Sequence, residues 1–159
     1  MKKSLFAYRD YELWWLLLQV RRAMRKIRER ELWQYEITPE EVGVLVVVQA
    51  IGKRATPAEI SRRLLREPHS VSTLLSRMEK KGLVRKVKDL ERKNLVRVVL
   101  NEKGRKAYQQ SAERESIHRI MSYLSEDERQ QLRVPLEKLC NELHKELGIK
   151  RKEPFPTAE

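Results

Sequence analysis

Apolar residues recur at helical spacing over most of the chain. From Tyr8 to Glu31, a stretch without Gly or Pro, Leu13, Leu16, Leu17, Val20, Met24 and Ile27 mark one face of a long helix. Thr38-Pro-Glu-Glu41 is a capping box with Pro at the first helical position, and the apolar run Val42 to Ile51 follows it. The valines of that run would suit a strand, but the cap, the length and Gly52 predict a buried helix. Thr56-Pro-Ala-Glu59 reads as a second capping box, opening a helix through Ile60, Leu64 and Leu65.

Glu67-Pro68 starts the next helix, which Gly82 stops. Val71, Leu74, Leu75 and Met78 fall at i, i+3, i+4 and i+7, which is one face. The opposite face carries Ser70, Ser72, Thr73, Ser76 and Arg77, small hydroxyls and one cation that let a helix lie close to a surface.

Periodicity then switches from helix to strand. Leu83 to Lys88 and Leu95 to Leu100 are short β-rich runs joined by the polar Asp89–Asn94, which reads as a hairpin whose exposed charges are Arg85, Lys86, Lys88, Arg92, Lys93 and Arg97. Asn101 is placed to cap one helix reaching about Ser122. Ser125-Glu-Asp-Glu128, a third capping box, opens a last helix to Leu147, with Gly148 as its stop and a kink expected at Pro135. Leu132, Leu136, Leu139, Leu143 and Leu147 form its stripe, and the polar tail from Ile149 is expected to fray.

Helix, helix, hairpin is the order of a winged helix-turn-helix. The predicted fold is mainly α with a small β-hairpin wing. It forms a single domain, 1–159, with a winged-helix lobe at 38–100 and helical dimerisation segments at 8–33 and 102–148. A helix with its side chains matches the width of the DNA major groove, and a basic hairpin beside it can reach phosphates or a minor groove.

Charge strengthens that picture. The chain has 159 residues, a formal net charge of +12 and a pI of about 10.0, which suits a polyanionic partner. The excess is local. Residues 54–97 carry 13 basic and 5 acidic side chains, whereas residues 98–149 carry 9 of each. This is an electrostatic footprint over the hairpin and the helices before it. Pro68 and His69, at the helix start, join Ser70, Ser72, Thr73, Ser76, Arg77, Arg85, Lys88, Arg92 and Lys93 as candidate DNA contacts; for His69 a solvated cap is the competing reading.

The remaining chemistry is sparse. One cysteine, Cys140, excludes an internal disulfide and suggests a reducing compartment; it reads as a small apolar residue in a helix stripe. His69, His118 and His144 lack partners at metal spacing, and no nucleophile motif, phosphate loop or paired-acid motif stands out, so no metal, no cofactor and no enzymatic activity is expected. The longest early apolar run, Trp14 to Leu18, is too short to span a bilayer, so the expectation is a cytoplasmic protein without a membrane partner. Tyr8, Tyr11, Trp14, Trp15 and Trp33 crowd the first helix; Tyr11, Trp14 and Trp15 could line a ligand pocket, or pack a core or subunit interface.

The order Ile37-Thr-Pro-Glu-Glu41, Ala55-Thr-Pro-Ala-Glu-Ile60, Ser70-Val-Ser-Thr-Leu-Leu-Ser-Arg-Met-Glu-Lys-Lys-Gly-Leu-Val84 and Leu100-Asn-Glu-Lys-Gly104 resembles the MarR family of transcriptional regulators, from about Tyr11 to Leu147. The resemblance implies a homodimer built by the terminal helices, whose apolar stripes also ask for partners. It implies binding to a pseudo-palindromic duplex operator, usually as a repressor, and release by a small, often aromatic, effector held between the dimer helices and the DNA-binding lobe. Where the family usually carries Asp-Arg-Arg or Asp-Lys-Arg at the wing tip, its last Arg entering the minor groove, this chain has Arg92-Lys93-Asn94; Arg92 or Lys93 then stands in for that arginine. A winged-helix module for protein–protein contact or non-specific nucleic-acid binding is the alternative, marked by a flat sequence preference.

Overall fold

The computed structural model describes the backbone of residues 2–89 and 94–150 and the side chains from Tyr8 onward within those spans. Helix α1 runs Lys2–Trp33, α2 Pro39–Ile51, α3 Pro57–Leu64 and α4 Pro68–Lys80. Strands β1, Val84–Lys88, and β2, Val96–Leu100, follow, then α5 Glu102–Ser111, α6 Glu115–Met121 and α7 Glu126–Glu146. The winged helix-turn-helix is therefore present.

The core is organised on α2. Val44, Leu45, Val47, Val48 and Ile51 are buried, with Ala55, Ile60, Val71, Leu74, Leu75, Met78, Leu83, Val84, Val98 and Ala107 packed around them. Burial on several sides explains a valine-rich helix: the apolar run fills a protein interior rather than alternating across a sheet. Thr38 closes the predicted capping box, its hydroxyl accepting from Glu41 N at 3.2 Å while its own N–H donates to Glu41 Oε2 at 2.9 Å.

The hairpin is antiparallel, with Val84 opposite Leu100 and Lys88 opposite Val96. Val98 N–H also donates to Ala55 O at 2.7 Å, which fastens the wing to the turn before α3. Gly82, at φ +74°, supplies the left-handed residue that ends α4.

Four expectations need correction. The segment after Asn101 is two helices, not one. The chain breaks at Arg114, whose φ is +52°, and α6 restarts because a distant group caps it: Glu31, on α1, accepts from Ser116 N at 3.1 Å and from the Ser116 hydroxyl. Asn101 occupies the N-cap position of α5, yet its side chain points elsewhere, donating to Gly82 O and Val84 O at 3.2 Å each. At α3 only half of the capping box forms. Thr56 accepts from Glu59 N, while the Glu59 carboxylate turns to Arg62 and Arg63. Finally, Arg97 is not an exposed wing charge but pairs with buried Asp89 at the hairpin's base.

The terminal helices stand out from this core. No residue of α7 is buried, and Leu132, Leu136, Leu139, Leu143 and Leu147 are 41–61% exposed. The helix continues through Pro135. On α1, Leu13, Leu16, Leu17 and Val20 are exposed, and burial begins only at its end, with Leu32. The α7 leucines and the first half of the α1 stripe are therefore left uncovered by the chain's own core, whereas Met24 and Ile27 are half-buried.

Candidate nucleic-acid interface

The two faces of α4 separate as its period requires. Val71, Leu74, Leu75 and Met78 are buried, none more than 4% exposed, which anchors the helix. Pro68, His69, Ser70, Ser72, Thr73, Ser76 and Arg77 are all exposed. His69, Ser72, Thr73, Ser76 and Arg77 line one shallow groove, and Lys80, which the sequence reading missed, extends it. Lys80 lies three residues beyond Arg77 and seven beyond Thr73, on the same face, so helical spacing alone could have found it.

The hydroxyls are not equivalent. Ser76 Oγ donates to Ser72 O at 3.0 Å within the helix. Its proton is thereby occupied, which leaves Ser76 as an acceptor towards the groove, suited to a base amino group rather than to a phosphate. Arg77 has Glu41 behind it, its Nε 3.7 Å from Oε1, an ion-pair distance too long for a hydrogen bond.

On the wing, Arg85 and Lys88 are exposed on β1. Lys86 turns instead towards Glu79, its Nζ 3.7 Å from Oε2, while its backbone N–H donates to Oε1 at 3.0 Å. Arg92 and Lys93 lie outside the described residues. Asn94 is exposed where the tip rejoins β2, and Asp89 N–H closes that loop on Leu95 O at 2.9 Å.

A second feature lies behind α2. An apolar cavity of about 340 Å³ opens between the end of α1, α2, α3 and the α5–α6 junction. Val42, Val46, Leu64 and Ile117 are among its apolar lining, and Tyr108, Arg28, Ser111 and Arg114 are its polar members. A volume at the lower end of the range for small-molecule sites suits a single substituted ring. Arg28 braces the wall, one arm donating to Glu31 and the other to Ser111 O at 2.6 Å. Burial alone would raise the Glu31 carboxyl, but hydrogen bonds from Ser116 and Arg28 outweigh it and hold the group below its ordinary value.

Tyr11, Trp14 and Trp15 are 63%, 58% and 44% exposed, on the N-terminal half of α1, with the Arg22 guanidinium 5.9 Å over the Trp15 ring. They sit roughly 20 Å along the helix from Arg28, so within one chain they do not meet the cavity.

Cys140 has a neighbour that the sequence reading passed over. His144, one turn on, places Nδ1 3.6 Å from Sγ and 2.6 Å from Cys140 O. Among the described residues no group of three or more His, Cys, Asp or Glu is placed to hold a metal ion, and no helix is long and apolar enough to cross a membrane.

Comparison with known proteins supplies the context. The model of the MarR family matches residues 35–89, from the turn before α2 to the end of β1. Among curated proteins none matches the chain. The ligand-free organohalide-sensing RdhR-CbdbA1625 transcriptional regulator is 32% identical over 94% of this chain and 89% of its own, with a TM-score of 0.81. The same regulator with 2,4-dichlorophenol bound is 34% identical over 84% of this chain and 80% of its own, with a TM-score of 0.77. The MepR–DNA complex of S. aureus is 25% identical over 80% of this chain and 96% of its own, with a TM-score of 0.74.

Proposed function

Because the chain belongs to the MarR family of transcription regulators, we propose that it binds a pseudo-palindromic duplex operator as a homodimer and represses transcription until a small aromatic molecule releases it. The observation that carries this reading is the outer face of α4: an exposed groove of hydroxyls and cations on a helix whose other face is fully anchored. A helix of that kind enters the major groove, and its short polar side chains can meet base edges. Arg85, Lys88 and the tip cations Arg92 and Lys93 then contact phosphates beside it.

The dimer rests on the unpartnered stripes of α1 and α7. So many exposed leucines on two long helices exceed what a monomer ordinarily presents to water. A second copy covering them gives an isologous interface and two α4 helices about 34–36 Å apart, one duplex turn. Tyr11, Trp14 and Trp15 belong to that surface.

The effector reading rests on the cavity. Its apolar wall suits a ring, and Arg114 and Tyr108 at its edge suit a phenolate or carboxylate. The RdhR-CbdbA1625 relative, crystallised with 2,4-dichlorophenol, supports that class.

The test is fluorescence anisotropy with a duplex from the protein's own promoter against a scrambled duplex, repeated with a panel of aromatic acids, phenols and halogenated aromatics. Specific binding that one panel member weakens is the expected result. Equal affinity for both duplexes would exclude specific regulation and leave the winged-helix contact module.

A further inference from the structure

Glu41 is an acid in an unusual place. Its side chain is completely buried, yet Arg77, on the exposed helix face argued above to meet DNA, brings its Nε within 3.7 Å of it. Burying a carboxylate is costly unless it is paired. Lys81 supplies the nearer cation: its Nζ lies 2.9 Å from Oε1, donates to Oε2 at 3.1 Å, and donates again to Glu36 O at 3.2 Å.

Helix capping does not explain the burial. The Ser125 and Glu128 box of α7 performs the same job with an exposed glutamate, and a glutamine serves in such boxes as well. Lys81 reaches both oxygens but is aligned to hydrogen-bond only Oε2. Oε1 is buried without an aligned hydrogen bond, and Arg77 Nε is the second cation beside it, at 3.7 Å. The Arg77 side chain is nevertheless 57% exposed. A guanidinium whose Nε side faces an anion turns its Nη1 and Nη2 edge away from it, and that edge is a fork that can meet two acceptors at once.

We propose that Glu41 is a positioning residue for DNA recognition: from behind α4 its buried charge attracts the Nε side of Arg77, which biases the guanidinium to present its Nη1–Nη2 edge to the duplex as a fork. The proposal rests on the DNA-binding reading of α4 and assigns a role to a residue that no DNA would touch. Part of the entropy of ordering an arginine is then met before DNA arrives. It also accounts for a local rule broken next to a functional surface, a buried charge where a glutamine would cap as well.

The experiment is a double-mutant cycle on the full-length protein, with operator affinity read by anisotropy for wild type, Glu41→Gln, Arg77→Ala and the double variant. Glu41→Gln keeps an acceptor for Thr38 N–H and removes the charge. In the wild-type background it should weaken operator binding roughly tenfold, the scale of one well-placed fork contact; in the Arg77→Ala background it should change binding less than about twofold. Equal loss in both backgrounds would overturn the proposal, since Glu41 would then act on the fold through Lys81. Should Glu41→Gln not fold, Arg77→Lys decides: a point charge without a fork should bind as poorly as Arg77→Ala, and wild-type affinity there would overturn the proposal. A wild type that does not distinguish operator from scrambled DNA removes the DNA reading itself, a different failure from lost coupling between the two residues.

Discussion

Gly104, in the first turn of α5, sets two rules against each other. A glycine inside a helix is weak, and Gly→Ala at a compatible site gains about 0.5–1 kcal/mol. Its φ is not in the left-handed range, so conformation alone permits the alanine. Space does not. An alanine Cβ there would lie 1.9 Å from the carbonyl oxygen of Leu83 and 2.9 Å from its carbon. Neither is the tip of a flexible side chain; both are backbone of the residue that leads into β1. That carbonyl also accepts the Asn101 N–H at 3.0 Å, the bond that joins the start of α5 to the base of the wing.

Relief therefore requires α5 and the β1 entry to separate by an ångström or more, costing about 1–3 kcal/mol in overpacking, and stretches a bond worth about 1 kcal/mol. After subtracting the helix gain, Gly104→Ala should destabilise by roughly 1–3.5 kcal/mol, lowering Tm by roughly 2–14 °C for a chain of this size. The assay is urea unfolding followed by far-UV circular dichroism, at one fixed protein concentration because subunit association would contribute. A variant as stable as wild type, or more so, would refute the packing argument and leave helix propensity in charge.

Other outcomes follow from the same structure. Thr73→Ala and Arg77→Ala should change base preference, whereas Arg92→Ala, Arg85→Ala and Lys88→Ala should weaken all sequences alike and lower the slope of log K against log salt by about 1 each; systematic operator variants read by anisotropy check both. Glu31→Gln should destabilise at neutral pH by loosening the α6 cap. Because the folded-state Glu31 carboxyl lies below its ordinary value of 4.5, its contribution is present above that pH and is lost as pH falls through the lower folded value, so the gap between wild type and variant should close below about pH 4.5. A gap constant down to pH 2.5 would contradict the sign. On the proposed dimer, wild type should sediment as a dimer and Leu139→Glu, on α7, as a monomer that no longer binds operator, while the isolated fold keeps its helical spectrum.

What the sequence disclosed and what it concealed divide along a physical line. Local signals were legible. The period of Val71, Leu74, Leu75 and Met78, Pro68 at the start of α4 and Gly82 at its end located the helix proposed to face DNA and its two faces, because each depends on residues within a few turns. Two of the four corrected features turn on partners distant in sequence. The break between α5 and α6 carries no Gly or Pro; it falls at Arg114, and the cap that restarts the helix comes from Glu31, 85 residues earlier. Arg97 looked like one more wing cation until folding set it against Asp89. Gly104 was visible as part of a motif, but the approach of Leu83 O that requires it was not. Glu41 was legible as a cap, and its second position, behind Arg77, became visible only once α2 met α4.

The central claim is that α4 reads DNA in a symmetric pair. Hydroxyl-radical footprinting on the protein's own promoter tests it most directly. Two matching protected half-sites about 10–10.5 bp apart, centre to centre, are predicted, each losing protection in Thr73→Ala. A single unpaired footprint, or even protection along the whole duplex, would contradict it.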